Sequence, residues 1–261
     1  MGDAMLELRE LSKLYATGNG VVRALDRISL VQSPGEFVSI VGPSGCGKST
    51  LLMLAAGLVG ASAGQVLVQG RAVTGPRTDV GIVFQSPVLL EWRTALGNVM
   101  LQAEARGLPR RAAEARAREL LAQVGLAGFE QKYPHELSGG MRQRVSICRA
   151  LIHAPQHLLM DEPFGALDSL TRDQLVLDIQ HMWQARERAM TVTFITHSVQ
   201  EAVFLSDRVV VMTPRPGRID QVMEIALPRP RTLAMREQPP FNAYCRQVLD
   251  LFLQRGVLRE H

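Results

Sequence analysis

Nine consecutive residues constrain this chain more than any others: Gly42-Pro43-Ser44-Gly45-Cys46-Gly47-Lys48-Ser49-Thr50. Gly42 and Gly47 frame the G-x-x-x-x-G-K-[ST] spacing of a phosphate-cradling loop. That spacing carries meaning only between a strand and a helix. Glu36 to Val41 reads as an apolar β-type run and Leu51 to Ala56 as a helix start, so the context is present. Glycine lets the backbone approach a polyphosphate closely, and the amides of the loop and of the helix N-terminus then point at it. Lys48 is placed to neutralise β- and γ-phosphates, and the Ser49 hydroxyl to ligate Mg²⁺.

Composition sets the outer bounds. At 261 residues the chain can bury a substantial core, and 46% hydrophobic with 21% charged residues is ordinary for a globular protein. No run of about 18 apolar residues is long enough to span a bilayer. The start, MGDAMLELRE, has acids mixed in and no basic-then-apolar leader, so the expectation is a cytoplasmic chain. Of 29 basic residues only Lys13, Lys48 and Lys132 are lysine, and the arginines alternate with acids. Solvated faces explain that scatter better than a nucleic-acid or membrane footprint does. Cys46, Cys148 and Cys245 are odd in number and far apart, which argues against a disulfide framework. His153 and His157 have Pro155 between them, so one helical face cannot present both to a metal.

Residues 5–11 and 21–30 alternate in strand fashion around the turn Thr17-Gly18-Asn19-Gly20, which predicts an antiparallel β layer beside the nucleotide core. Tyr15, within that layer, is either a stacking platform for an adenine ring or a plain strand tyrosine. Gly64 to Gly70 reads as a short strand pair. Val80 to Phe84 reads as a buried strand that ends at Gln85, a polar amide placed to touch a metal or a water. Residues 92–125 read as helical, with Pro109 suited to a first turn. Ser138 is a good N-cap for a helix opening on Gly139 and Gly140, which makes a second anion-binding helix start. With one nucleotide loop and two such starts, the natural source of the missing phosphate is another copy of the chain.

His157 to Met160 leads into Asp161-Glu162, a buried strand delivering two carboxylates; Asp161 is placed to hold Mg²⁺ and Glu162 to take a proton from an attacking water. Ala166-Leu167-Asp168 is a tight turn before a predicted helix over 169–188. Thr191 to Thr196 is a further core strand ending on His197, a position where ligands sit, although such a histidine is more often a structural, hydrogen-bonded one. Val209 to Met212 reads as the last clear strand. Two Pro/Arg-rich connectors follow, at 214–218 and 228–231, and then a terminal helix near 241–255. Cys46, at a helix N-terminus, is either a favoured thiolate, whose alkylation a bound nucleotide would block, or a small residue that merely fits the loop.

These elements together resemble the ATP-binding subunit of ABC transporters over residues 5 to about 215. GPSGCGKST is similar to that family's Walker A, Gln85 to its Q-loop glutamine, LSGGM at 137–141 to its signature, and LLMDEP at 158–163 to its Walker B with the catalytic glutamate. Ala166-Leu167-Asp168 resembles the D-loop, His197 the switch histidine and Tyr15 the adenine-stacking aromatic. Met141 stands where glutamine is commonest, and His157 opens the Walker B strand where an aliphatic residue is usual.

The resemblance implies an α/β fold: a P-loop NTPase core of the RecA type with an N-terminal antiparallel β layer and an inserted helical subdomain. It implies an ATPase domain over 1–215, the helical subdomain at about 86–155, and a short extension over 216–261. ATP and Mg²⁺ are the implied ligands. Two copies would close head to tail, ATP lying between residues 42–50 of one and Ser138 to Gly140 of the other, with Asp168 beside it. Ser49, Gln85 and Asp161 would attend the metal, Glu162 would polarise the water, and Lys48 and His197 would hold the γ-phosphate. The implied location is the cytoplasmic face of a membrane, on permease subunits, with a solute-binding protein in the same system and no nucleic acid.

Pro87 to Thr94 and Pro214 to Ile219 are similar to segments of importers for nitrate, aliphatic sulfonates and taurine, with Glu91 in place of the usual proline. Three further readings compete: a nucleic-acid or ribosome ATPase of the same type, for which a second cassette or a coiled-coil insert is missing; a lipid-transport ATPase; and a scaffold that does not hydrolyse, which Glu162 and His197 together disfavour.

Overall fold

The computed structural model describes residues 4–18, 20–165, 167–185 and 190–257. Asn19 and Ala166 of the predicted turns, and residues 186–188 of a predicted helix, lie outside them. Two compact units are present, one of Met1–Thr78 with Thr191–His261 and one of Asp79–Met190.

The first unit begins with β1 (Leu6–Thr17), β2 (Gly20–Gln32), β3 (Phe37–Val41), α1 (Lys48–Ala55), β4 (Ala63–Val68) and β5 (Arg71–Ala72). In β1 and β2, Leu6, Leu8, Leu25 and Ile28 are buried, and the strands pair antiparallel, with shifts of register, from Leu6 against Gln32 to Thr17 against Gly20. β4 joins the other edge of β1 antiparallel and β5 follows it, giving the order β2-β1-β4-β5. The antiparallel layer is therefore as expected. β3 differs in kind: all five residues are buried, the mark of a strand covered on both faces.

The second unit holds β6 (Val80–Val83), α2 (Ala95–Ala105), α3 (Arg110–Gln123), α4 (Gly139–Leu151), β7 (His157–Asp161) and α5 (Ser169–Gln184). β6 and β7 pair in parallel, and His157 is fully buried opposite Val80. The helical stretch expected over 92–125 is two helices, because Gly107 turns left-handed and Pro109 has no N–H to continue a ladder. α2 is capped by the Thr94 hydroxyl, which accepts from Gly97 N at 3.1 Å.

The chain returns to the first unit with β8 (Thr191–Ile195), α6 (Val199–Leu205), β9 (Arg208–Met212), β10 (Ile219–Glu224) and α7 (Pro239–Gln254). β3 pairs in parallel with β8 on one side and β9 on the other. β9 is not the last strand: β10 pairs antiparallel with it, from Ile219 against Met212 to Glu224 against Arg208. Buried Gln32 links the antiparallel layer to these strands, its amide donating to Val192 O at 2.8 Å and accepting from Thr193 Oγ1 at 2.7 Å. The stretch after β10 is also no free connector. Arg231, 2% exposed, donates to the carbonyls of Val203, Phe204 and Ser206 at the end of α6 and to those of Ile225 and Leu227. It thereby caps orphan carbonyls of that helix, and burial lowers its pKa to about 10.

One ion pair joins β2 to the segment before β10. Arg218 Nε donates to Asp26 Oδ2 at 2.8 Å, and Arg23 Nη1 approaches Asp26 Oδ1 at 3.2 Å. The Arg218 guanidinium holds the Asp26 carboxyl below the usual carboxylate range. A depressed carboxyl stabilises the fold above its unfolded pKa, about 3.9, and loses that contribution as pH falls through the lower folded value. Asp26→Asn is therefore expected to lower the thermal midpoint at pH 7, with the gap from wild type closing below about pH 4. A gap that stays constant to pH 2.5 in a series of melts would count against an ionic origin.

Candidate functional site

In the first unit the phosphate loop leaves β3 and enters α1. Gly47 has φ +106, and a Cβ there would lie 2.7 Å from Leu25 Cδ2 and 2.9 Å from Ala24 O, so only glycine makes this turn against β2. No side chain caps α1, so the amides of its first turn remain for a ligand. Lys48 is buried and folds back over the loop, its Nζ donating to Gly42 O at 2.8 Å and Pro43 O at 3.1 Å. Ser44, Gly45 and Ser49 are exposed and Thr50 half-buried.

Burial decides between the two readings of Cys46. Its side chain is 1% exposed, and burial pushes the thiol pKa up despite the charge of Lys48. The favourable helix terminus loses to desolvation, so alkylation of Cys46 is not expected.

His197 follows β8 and is exposed. Its flanks are fixed: Ser198 N donates to Thr196 Oγ1 at 3.0 Å, Thr196 Oγ1 hydrogen-bonds buried Glu201, and the Ser198 hydroxyl caps α6 by accepting from Glu201 N at 3.3 Å. Tyr15 is half-buried on β1 with Lys13 Nζ 5.0 Å from its ring centroid.

The second unit supplies the acids. Asp161 ends β7 and Glu162 follows with φ +44, a left-handed conformation that a non-glycine residue adopts at a cost and that places its carboxylate at the strand's C-terminal edge. Gln85 Nε2 donates to Glu162 Oε2 at 3.3 Å, so these two predicted residues do meet. Ser138 is the N-cap of α4 as expected, accepting from Met141 N at 3.3 Å, with Gly139 exposed and Gly140 buried at its first turn. Asp168 caps α5 by accepting from Thr171 N at 3.0 Å, and those backbone hydrogen bonds lower its pKa.

Two residues of this unit were not singled out from sequence. Gln143, buried in α4, donates to Phe84 O at 3.3 Å, next to Gln85. Arg149, one and a half turns on, donates to Val88 O and Pro87 O, both at 2.8 Å. Both anchor the segment that carries Gln85.

The residues assigned to Mg²⁺ offer a hydroxyl (Ser49), an amide (Gln85) and a carboxylate (Asp161). These are hard oxygen donors with a single carboxylate, which fits a cation that shares its coordination with phosphates and water.

Residues 25–165 match the family model described as ABC transporter. A taurine import ATP-binding protein of Rhizobium johnstonii is 50% identical, covering 82% of each chain. An aliphatic sulfonates import ATP-binding protein of Bacillus cereus is 38% identical over 97% of this chain and 98% of its own. Among solved structures, the dimeric post-hydrolysis state of an ATP-binding cassette bound to ADP and phosphate matches with a TM-score of 0.76 at 31% identity, over 85% of this chain and 99% of that one. With the phosphate loop, the paired acids and the second helix start in the order described above, the chain belongs to the ABC transporter family, as an ATP-binding subunit that hydrolyses ATP.

Proposed function

We propose that this chain powers the import of a small sulfonate, such as taurine or an alkanesulfonate, through permease subunits at a membrane. The observation that carries the proposal is the similarity, over most of both lengths, to ATP-binding proteins named for taurine and aliphatic sulfonate import. Those names favour this reading over an ATPase acting on nucleic acid. Among the described residues no helix is long and apolar enough to cross a membrane, so passage of the solute falls to other subunits.

In this reading Lys48 and the amides of residues 44–50 bind the phosphates, and Tyr15 stacks on the adenine. Bound Mg²⁺ supplies charge neutralisation on the phosphate oxygens, with Ser49, Gln85 and Asp161 as the residues that hold it. Glu162 accepts the proton of the attacking water, and His197 hydrogen-bonds the γ-phosphate. Ser138, Gly139 and Gly140 of a second copy close over the nucleotide, with Asp168 beside them; the dimeric state of the related cassette supports this pairing.

The test is direct. The purified chain should release phosphate from ATP in a way that EDTA abolishes, and a strain lacking the chain should take up labelled taurine or alkanesulfonate at a small fraction of the parental rate. Parental uptake of both solutes in that strain would overturn the substrate assignment.

A further inference from the structure

The Pro214-Arg215-Pro216-Gly217-Arg218 connector is not used by the reaction as described, yet it lies against the phosphate loop within the first unit. Arg215 donates twice to one acceptor, Nε to Gly45 O at 3.0 Å and Nη2 to the same oxygen at 2.9 Å. Gly217 is so close to the loop that a Cβ there would lie 2.0 Å from Cys46 O and 2.8 Å from Met212 Cε. Gly217 also exchanges backbone hydrogen bonds with β2, its N donating to Ala24 O and its O accepting from Asp26 N, both at 2.9 Å. Arg218 adds the pairing with Asp26. Ala24 and Leu25, the residues so tied, are the ones Gly47 turns against. One short segment therefore supports the loop from residue 45 to residue 47.

Gly45 O and Cys46 N belong to one rigid peptide plane and point in opposite directions. With the oxygen held by Arg215, the Cys46 amide faces back into the loop, where it reaches Pro43 O at 3.3 Å. Gly45 has φ +74 and no Cβ, so rotation of this plane meets little steric resistance from the residue itself. A flipped plane would turn a carbonyl oxygen toward an anion in place of an N–H. We infer that Arg215 is a positioning residue for phosphate binding, holding the Gly45-Cys46 peptide with its oxygen turned outward and its amide on the inner side of the loop. This rests on the proposed reading of residues 42–50 as the nucleotide loop.

Arg215 is exposed, so its removal leaves the core intact. In the full chain, Arg215→Ala is expected to raise the Kd for ATP and for ADP about tenfold, the scale of one charge-assisted hydrogen bond. KM for ATP should rise with it while kcat stays within about twofold. Adenosine, which lacks phosphates, should compete as well as it does on wild type, and the melting midpoint without nucleotide should not move. Arg215→Lys keeps the charge and loses the two-pronged geometry, so it should still weaken ATP binding at least about threefold. Unchanged ATP affinity in Arg215→Ala, equal weakening of adenosine, a lowered melting midpoint, or a lysine variant equal to wild type would each overturn the role of Arg215. A wild-type chain that binds ATP no more tightly than adenosine would instead remove the loop assignment, and the inference with it.

Discussion

Glu162→Gln lowers steady-state ATP turnover by about 10²- to 10⁴-fold, the range expected when a general base is lost from a reaction that otherwise keeps its geometry. Glutamine has the size of glutamate and its carbonyl oxygen can still accept from Gln85 Nε2, so the contact at 3.3 Å survives. The left-handed backbone at 162, φ +44, costs both side chains alike. What the amide lacks is the capacity to take a proton from water. Nucleotide binding should therefore stay within about twofold of wild type while kcat falls, the signature of an interaction made in the transition state. A subunit that binds ATP and does not cleave it should also accumulate in the closed pair, visible by sizing as a dimer that appears with ATP and dissociates with ADP. Retention of more than about a tenth of wild-type turnover would remove Glu162 from the role of base and leave the second helix start, Ser138 to Gly140, as the feature to examine.

How much of this was legible before any coordinates depended on whether the signal was local. The loop, β3 and α1 are set by a contiguous pattern in which each residue type has a steric or electrostatic reason, and all three formed as read. β1 and β2 were also legible, because their alternating runs at 5–11 and 21–30 flank a Gly-rich turn, although the bulges in their pairing were not. β10 was not, since Ile219-Asp220-Gln221-Val222-Met223-Glu224 follows a Pro/Gly-rich stretch and buries only Met223; it becomes a strand by pairing with β9. The two Pro/Arg connectors misled for a related reason. Their composition is that of a solvated linker, yet Arg215, Arg218, Arg229 and Arg231 each donate to a defined backbone or carboxylate oxygen of the first unit. Sequence marks an arginine as a donor and is silent on where the acceptor lies. Cys46 could not be decided locally: the rule for a thiol at a helix start is correct as chemistry, but its burial is decided by neighbours distant in the chain, among them Met212 and Gly217 around the loop. Among the site residues, the meeting of Gln85 with Glu162 followed from both lying at ends of what proved to be adjacent parallel strands.

Lys48→Ala is expected to damage binding and chemistry together. The ammonium is the only lysine charge between residues 14 and 131, and Gly42 O and Pro43 O are among the groups that hold it in the loop. Those two carbonyls hold the charge at the loop, where its field would act on phosphate oxygens. Removing it should raise the Kd for ATP by about 10-fold or more and lower kcat/KM by about 10²- to 10³-fold, the cost seen when a charge-stabilising donor is taken from a preorganised site. Lys48→Arg should recover little, because a planar guanidinium cannot occupy the buried position that a compact ammonium fills between those two carbonyls. Measured beside Glu162→Gln, this variant separates the two kinds of stabilisation: the lysine acts on the phosphates in both ground and transition states, and the glutamate acts on the water during cleavage alone. If Lys48→Ala bound ATP like wild type and lost only turnover, the ammonium would be contributing in the transition state alone, and ground-state phosphate affinity would have to come from the loop amides and the start of α1.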